Sequence, residues 1–127
     1  MGTPRILAVD NVHLAAARET IGEAVAFYAD LIGLDRVNGG SADEPVVFRG
    51  YPRSGPKLVL SPGGQAGATW LRRQVLIQVA SESDCAERMI ELRTPFVWSH
   101  GWTFHDRRLT AFDPAGNRVE LVAYHGF

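Results

Sequence analysis

Apolar and polar side chains alternate along residues 7–16. Val12, Leu14 and Ala16 fall on one side and Asn11, His13 and Ala15 on the other, the two-residue period of a strand with one buried face. The period then changes. Ile21, Ala24, Val25, Tyr28, Leu31 and Ile32 recur at helical spacing. Thr20 and Glu23 are spaced as a capping box at the start of that helix, and Gly33 stands where a left-handed cap would end it. Short strand signals follow near residues 35–37, 46–51 and 57–61, separated by Gly-, Pro- and Ser-rich turns. Residues 62–67, Pro-Gly-Gly-Gln-Ala-Gly, read as a flexible connector.

The second half repeats this order. Val75, Ile77 and Val79 alternate within a strand at 74–79. Asp84 and Glu87 mark a helix start, and Cys85, Met89 and Leu92 form its apolar stripe. Strands are predicted at 96–99, 109–112 and 118–124. The last two are joined by the turn Asp113-Pro114-Ala115-Gly116-Asn117, where Pro presets φ and Gly and Asn tolerate positive φ. Each half thus reads strand, helix, three strands. His13-Leu14 aligns with Leu76-Ile77, and Val59-Leu60 with Glu120-Leu121, roughly 60 positions on.

Composition narrows the picture. A chain of 127 residues, 46% hydrophobic and 21% charged, suits one soluble globular domain. No apolar run approaches the roughly 20 residues of a membrane helix. Thirteen basic and 14 acidic side chains give a net charge of -1, which offers no footprint for nucleic acid or an anionic membrane. The lone Cys85 excludes an intrachain disulfide and a multi-cysteine metal cluster. No secretory signal opens the sequence, and Ile6 stands where a myristoylation signal has Ser or Thr, so a cytoplasmic location is expected. Lys57 is the single lysine and a weak Schiff-base candidate. There is no P-loop, dinucleotide-binding glycine pattern, nucleophile elbow or HExxH. Kinase, dehydrogenase and α/β-hydrolase chemistry are set aside accordingly.

Three segments carry a resemblance: Val12-His13-Leu14; Ala26-Phe27-Tyr28 with Leu31-Ile32-Gly33-Leu34; and the run from Phe112 through Asp113-Pro114-Ala115-Gly116-Asn117-Arg118-Val119-Glu120 to Leu121. Together they resemble the vicinal oxygen chelate superfamily, which includes glyoxalase I, bleomycin- and fosfomycin-resistance proteins, extradiol dioxygenases and methylmalonyl-CoA epimerase. The resemblance spans nearly the whole chain. It implies an α+β fold of two βαβββ modules, about 5–61 and 72–125, forming one domain over residues 1–127. Their curled mixed sheets would enclose a ligand cavity, usually in a homodimer.

Alternation then assigns the cavity side. If Val119, Leu121 and Ala123 pack under a helix, Glu120, Val122 and Tyr124 face the cavity. So do Asn11, His13 and Ala15; Lys57, Val59 and Ser61; Gln74, Leu76 and Gln78; and Arg108, Thr110 and Phe112. Metal-dependent relatives place ligands on the first and last strands of each module, positions occupied here by His13, Val59, Leu76 and Glu120. Valine and leucine have no lone pair to give, and His13 with Glu120 falls short of the three protein ligands of a catalytic zinc or facial-triad iron site. The expectation is therefore no cofactor, or a weakly held divalent metal of unspecified identity.

Two functions follow from this set. In an enzyme, Glu120 would remove a proton beside a carbonyl and His13 would steady the enolate, a lyase or isomerase chemistry. In a binding protein of the bleomycin-resistance type, the cavity would hold a small molecule without chemistry. A structural or regulatory dimer with a vestigial site is the third reading. Candidate ligand contacts are Gln74, Gln78 and Tyr124; the aromatic and imidazole side chains Trp98, Trp102 and His105; and Arg108, whose guanidinium suits a carboxylate or phosphate.

Overall fold

The computed structural model describes residues 6–9, 12–37, 44–50, 57–63, 73–100 and 107–123. Strands β1 (Ile6–Val9) and β2 (Val12–Ala16) come first, then helix α1 (Ile21–Ala26), continued by a π-helical turn at Phe27–Ile32. Strands β3 (Asp35–Arg36), β4 (Val46–Arg49), β5 (Lys57–Pro62) and β6 (Gln74–Val79) follow. Helix α2 (Glu82–Glu91) precedes β7 (Val97–His100), β8 (Arg107–Phe112) and β9 (Arg118–Ala123).

Two mixed sheets result, ordered β2-β5-β4-β3 and β1-β6-β9-β8-β7. Leaving β1 aside, the two repeat one plan. In each module the first strand lies parallel to the last, β2 along β5 and β6 along β9, and the other pairs are antiparallel. The expected repeat of two βαβββ modules is present. One long first strand is not: β1 pairs antiparallel with β6 in one sheet, while β2 pairs parallel with β5 in the other. Alternation within a segment carries no information about its partner strand, so the exchange between sheets was hidden in the sequence.

Period-two patterning builds the core. Val75, Ile77, Leu109, Val119 and Leu121 from one sheet are fully buried, as are Leu14, Phe48, Leu58 and Leu60 from the other. They join Ala24, Tyr28, Ile32, Cys85 and Met89 from the helical segments in a single cluster. Burying each such aliphatic side chain contributes about 1.5–3 kcal/mol before the entropy of ordering it is subtracted.

The caps differ from one another. Ser81 accepts a hydrogen bond from the Asp84 amide (3.1 Å) and starts α2. The capping box expected at Thr20 does not form. Thr20 has a helical backbone (φ -112, ψ -6), and its hydroxyl donates back to the Ala17 carbonyl (3.1 Å). Gly33 is the left-handed cap that its position predicts, at φ 98; its amide and that of Leu34 both donate to the Tyr28 carbonyl. Leu92 leaves the expected apolar stripe of α2. It ends the helix and is exposed, while Ala86 packs beside Cys85 and Met89.

Candidate functional site

The turn between β8 and β9 positions the most distinctive side chains of the sequence. Asp113 organises it. One carboxylate oxygen accepts from the amides of Ala115 (2.9 Å) and Asn117 (2.8 Å). The other accepts from the Asn117 side-chain amide (2.9 Å) and the Tyr28 hydroxyl (2.6 Å). Asn117 also donates to the Ala15 carbonyl on β2 (2.9 Å), and Gly116 supplies the positive φ of 91. This run ties one module to the other. Its residues serve folding, in keeping with the turn chemistry read from the sequence.

Beyond the turn, β9 enters the sheet in a register that defines the face away from the helix-packed core. Three rungs cross it. Gln74, Arg118 and Phe112 form the first; Leu76, Glu120, Thr110 and Val97 the second; Gln78, Val122, Arg108 and Ser99 the third. Gln74, Gln78, Arg108 and Glu120 therefore share one face, as alternation predicts.

Glu120 is 6% exposed at the centre of that face. Its Oε2 lies 3.0 Å from Nη1 of Arg108 and its Oε1 2.9 Å from Nη2 of Arg118. Both carboxylate oxygens are thus held by guanidinium groups, the stronger, charge-assisted kind of hydrogen bond. Arg118 was not among the expected site residues, although its signal was legible: two positions before Glu120 on one strand, it must share that residue's face. Thr110 lies directly across from Glu120. It is 5% exposed, and its hydroxyl is buried with no hydrogen-bond partner among the described residues.

His13 lies in the other sheet. It is exposed on β2 and pairs in register with Val59 on β5. The four positions that the resemblance assigns to a metal thus form two equivalent rungs, His13 with Val59 and Leu76 with Glu120. Among the described residues no three His, Cys, Asp or Glu side chains gather. With Val59 and Leu76 apolar and both oxygens of Glu120 engaged by arginines, this donor set does not fit a catalytic metal.

Trp98 departs from expectation. It pairs with Leu109, which puts it on the helix-packed side of the sheet, opposite Glu120. The Arg107 guanidinium lies 4.1 Å from its ring centroid, and Phe96 meets it edge-on at 6.2 Å. The sheet thus separates Trp98 from the Arg108–Glu120 face, contrary to its expected place among the ligand contacts. Trp102, His105 and Tyr124 lie outside the described residues.

Solved structures with the same architecture cover nearly the full chain. A protein from Bacillus anthracis assigned to the glyoxalase family superposes with a TM-score of 0.70 at 18% identity, over 96% of this chain and 98% of that one. The chain has the glyoxalase fold. Lactoylglutathione lyase from Agrobacterium tumefaciens shares that fold with a TM-score of 0.64 at 20% identity, over 91% and 96% of the two chains. So does the fosfomycin resistance protein FosX from Listeria monocytogenes, with a TM-score of 0.63 at 16% identity and 94% coverage of each. No protein-family model matches the sequence, and no curated protein matches it. Set within this glyoxalase fold, the Leu76–Glu120 rung has an arginine on each carboxylate oxygen and an aliphatic side chain beside it. No described helix is long and apolar enough to cross a membrane.

Proposed function

We infer that this protein binds a small organic molecule without a catalytic metal, against the sheet faces that carry His13 and Glu120. One observation carries the reading: both oxygens of Glu120 are engaged, by Arg108 at 3.0 Å and Arg118 at 2.9 Å. A general base must reach the proton it removes. Here Glu120 would first have to displace a guanidinium. A metal ion would meet the same obstacle, with Val59 and Leu76 offering no further donor. The proton-transfer enzyme read from the sequence is therefore the weaker of the two functions, and the binding protein the stronger. The whole chain acts as one domain in this reading, with a second copy of itself as its macromolecular partner.

Calorimetric titration with Ni²⁺, Zn²⁺, Mn²⁺ and Fe²⁺ tests it. The expected result is no stoichiometric binding at submicromolar concentration. Submicromolar binding that disappears in His13→Ala would overturn the reading and restore a chelate mechanism.

A further inference from the structure

The first module has an open face of its own. Leu14, Phe48, Leu58 and Leu60 pack into the apolar cluster with the helical segments, so alternation turns His13, Val47, Arg49, Lys57 and Val59 to the other side of the sheet. Register sorts that side into rungs. His13, Val59 and Val47 form the middle one, and Lys57, Arg49 and Asp35 the next. Val59 is 6% exposed, yet it lies outside the cluster that the helices cover. What shields it therefore stands on the open side, and the face is recessed at its centre.

Charge is unevenly spread around this recess. Asp35 is the one carboxylate that these rungs carry among the described residues. It stands directly across from Arg49, which is itself engaged. Lys57 lies on the far side of Arg49, so its cross-strand neighbour is a like charge, an unfavourable pairing. Two strand spacings, about 10 Å, separate it from the strand of Asp35. The diagonal neighbour of Lys57 on β2 is His13, which is exposed. An anion between them would give the ammonium group an opposite charge and the imidazole an acceptor. Val47 and Ala15, aliphatic and half-buried, border Val59 on the same face. Apolar surface with a few polar groups converging on it is the ordinary make-up of a small-molecule site. At the equivalent centre of the other sheet stands the Glu120 carboxylate, whereas Val59 puts no negative charge in the way of an acid.

We propose that Lys57 and His13 hold the acidic group of a small organic carboxylic acid, whose apolar body rests over Val47 and Ala15. Lys57 supplies the charge and His13 a hydrogen-bond donor. The proposal rests on the metal-independent binding reading and adds the chemical class of the ligand and the sheet that receives its acidic end.

The test exploits the fact that Lys57 is the single lysine. Reductive methylation with ¹³C-formaldehyde keeps the amine's charge and gives one side-chain NMR signal beside that of the chain terminus. The folded full chain is titrated with 1-naphthoate, with its uncharged counterpart 1-naphthamide, and with acetate, which has the charge but no apolar body. 1-Naphthoate should shift the Lys57 signal saturably and bind about three- to tenfold more tightly than 1-naphthamide, the range of a half-exposed charge contact. Added sodium chloride should weaken it. Acetate at the same concentrations should leave the signal in place. Lys57→Gln, followed by calorimetry, should bring 1-naphthoate down to the affinity of 1-naphthamide, and Lys57→Arg should keep the preference. Melting temperatures check that both variants fold, and the methylated wild type gives its answer without any substitution. Equal binding of 1-naphthoate and 1-naphthamide with the Lys57 signal unmoved would overturn the acid site while leaving small-molecule binding intact. An acetate response equal to that of 1-naphthoate would overturn it as well, by showing a bare surface charge. Failure of both naphthyl probes to bind the folded protein would overturn the binding reading and this inference with it.

Discussion

Tyr28 and Asp113, 85 positions apart, meet in a buried hydrogen bond of 2.6 Å. The contact joins the π-helical turn of the first module to the β8–β9 turn of the second. Burial first, and the Asp113 carboxylate after it, push the Tyr28 phenol far above its ordinary value, so it stays a donor. The Asn117 bridge to Ala15 acts across the same junction. The modules are therefore fastened by polar contacts as well as by their shared apolar core.

Replacing Tyr28 with Phe tests that fastening. The ring's packing against Phe27 and Phe48 survives, and Asp113 keeps its bonds from Asn117 and Ala115. The expected loss is about 1–3 kcal/mol, the cost of a buried hydrogen bond to a charged acceptor. Urea unfolding should show a lower midpoint with an unchanged slope. An unchanged midpoint would mean that this bond adds nothing to stability.

Cys85 gives a pH-dependent outcome. It is 2% exposed. Burial, and after it the charges of Asp84 and Glu82, push its thiol up from 9.0 to about 12. With a folded pKa above the unfolded one, the folded state keeps its proton while the unfolded state ionises. This contribution is fully present below pH 9 and is lost as pH rises toward 12. Wild-type stability, followed by chemical unfolding from pH 8 to 10.5, should decline once pH passes 9, and Cys85→Ala should decline less. Ellman's reagent should label the native thiol slowly at pH 8 and the urea-unfolded thiol at once. Rapid native labelling would contradict a buried thiol.

Assembly follows from exposed apolar surface. Val97 and Phe112 are each 61% exposed on the face that holds Glu120, and such side chains favour a second copy across them. Light scattering at micromolar concentration should give about twice the 13.9 kDa chain mass, and Phe112→Glu should lower it toward one. A monomeric wild type would contradict assembly through this surface.

Much of this was written in the chain. The alternation of residues 74–79 and 118–123 settled which of their side chains pack beneath α2, because strand side chains change face at every step. The turn 113–117 was legible because Pro, Gly and Asn each set a backbone angle locally. The helix end at Gly33 was legible for the same reason. Other features depended on contacts between distant segments. Thr20 and Glu23 had the spacing of a capping box, but the turn that delivers the chain from β2 gave Thr20 a helical backbone and sent its hydroxyl to Ala17. Trp98 and Arg108 both looked suited to a ligand, yet the pairing of β7 with β8 put them on opposite faces. A one-residue change of register would have reversed that outcome. Alternation put Glu120 among the residues facing away from the helix. Only the alignment of β8 beside β9 delivered Arg108 to one carboxylate oxygen while Arg118 took the other. Period fixes a side chain's face within its own strand; register between strands decides which charges meet there, and it is set by the packing of the whole sheet.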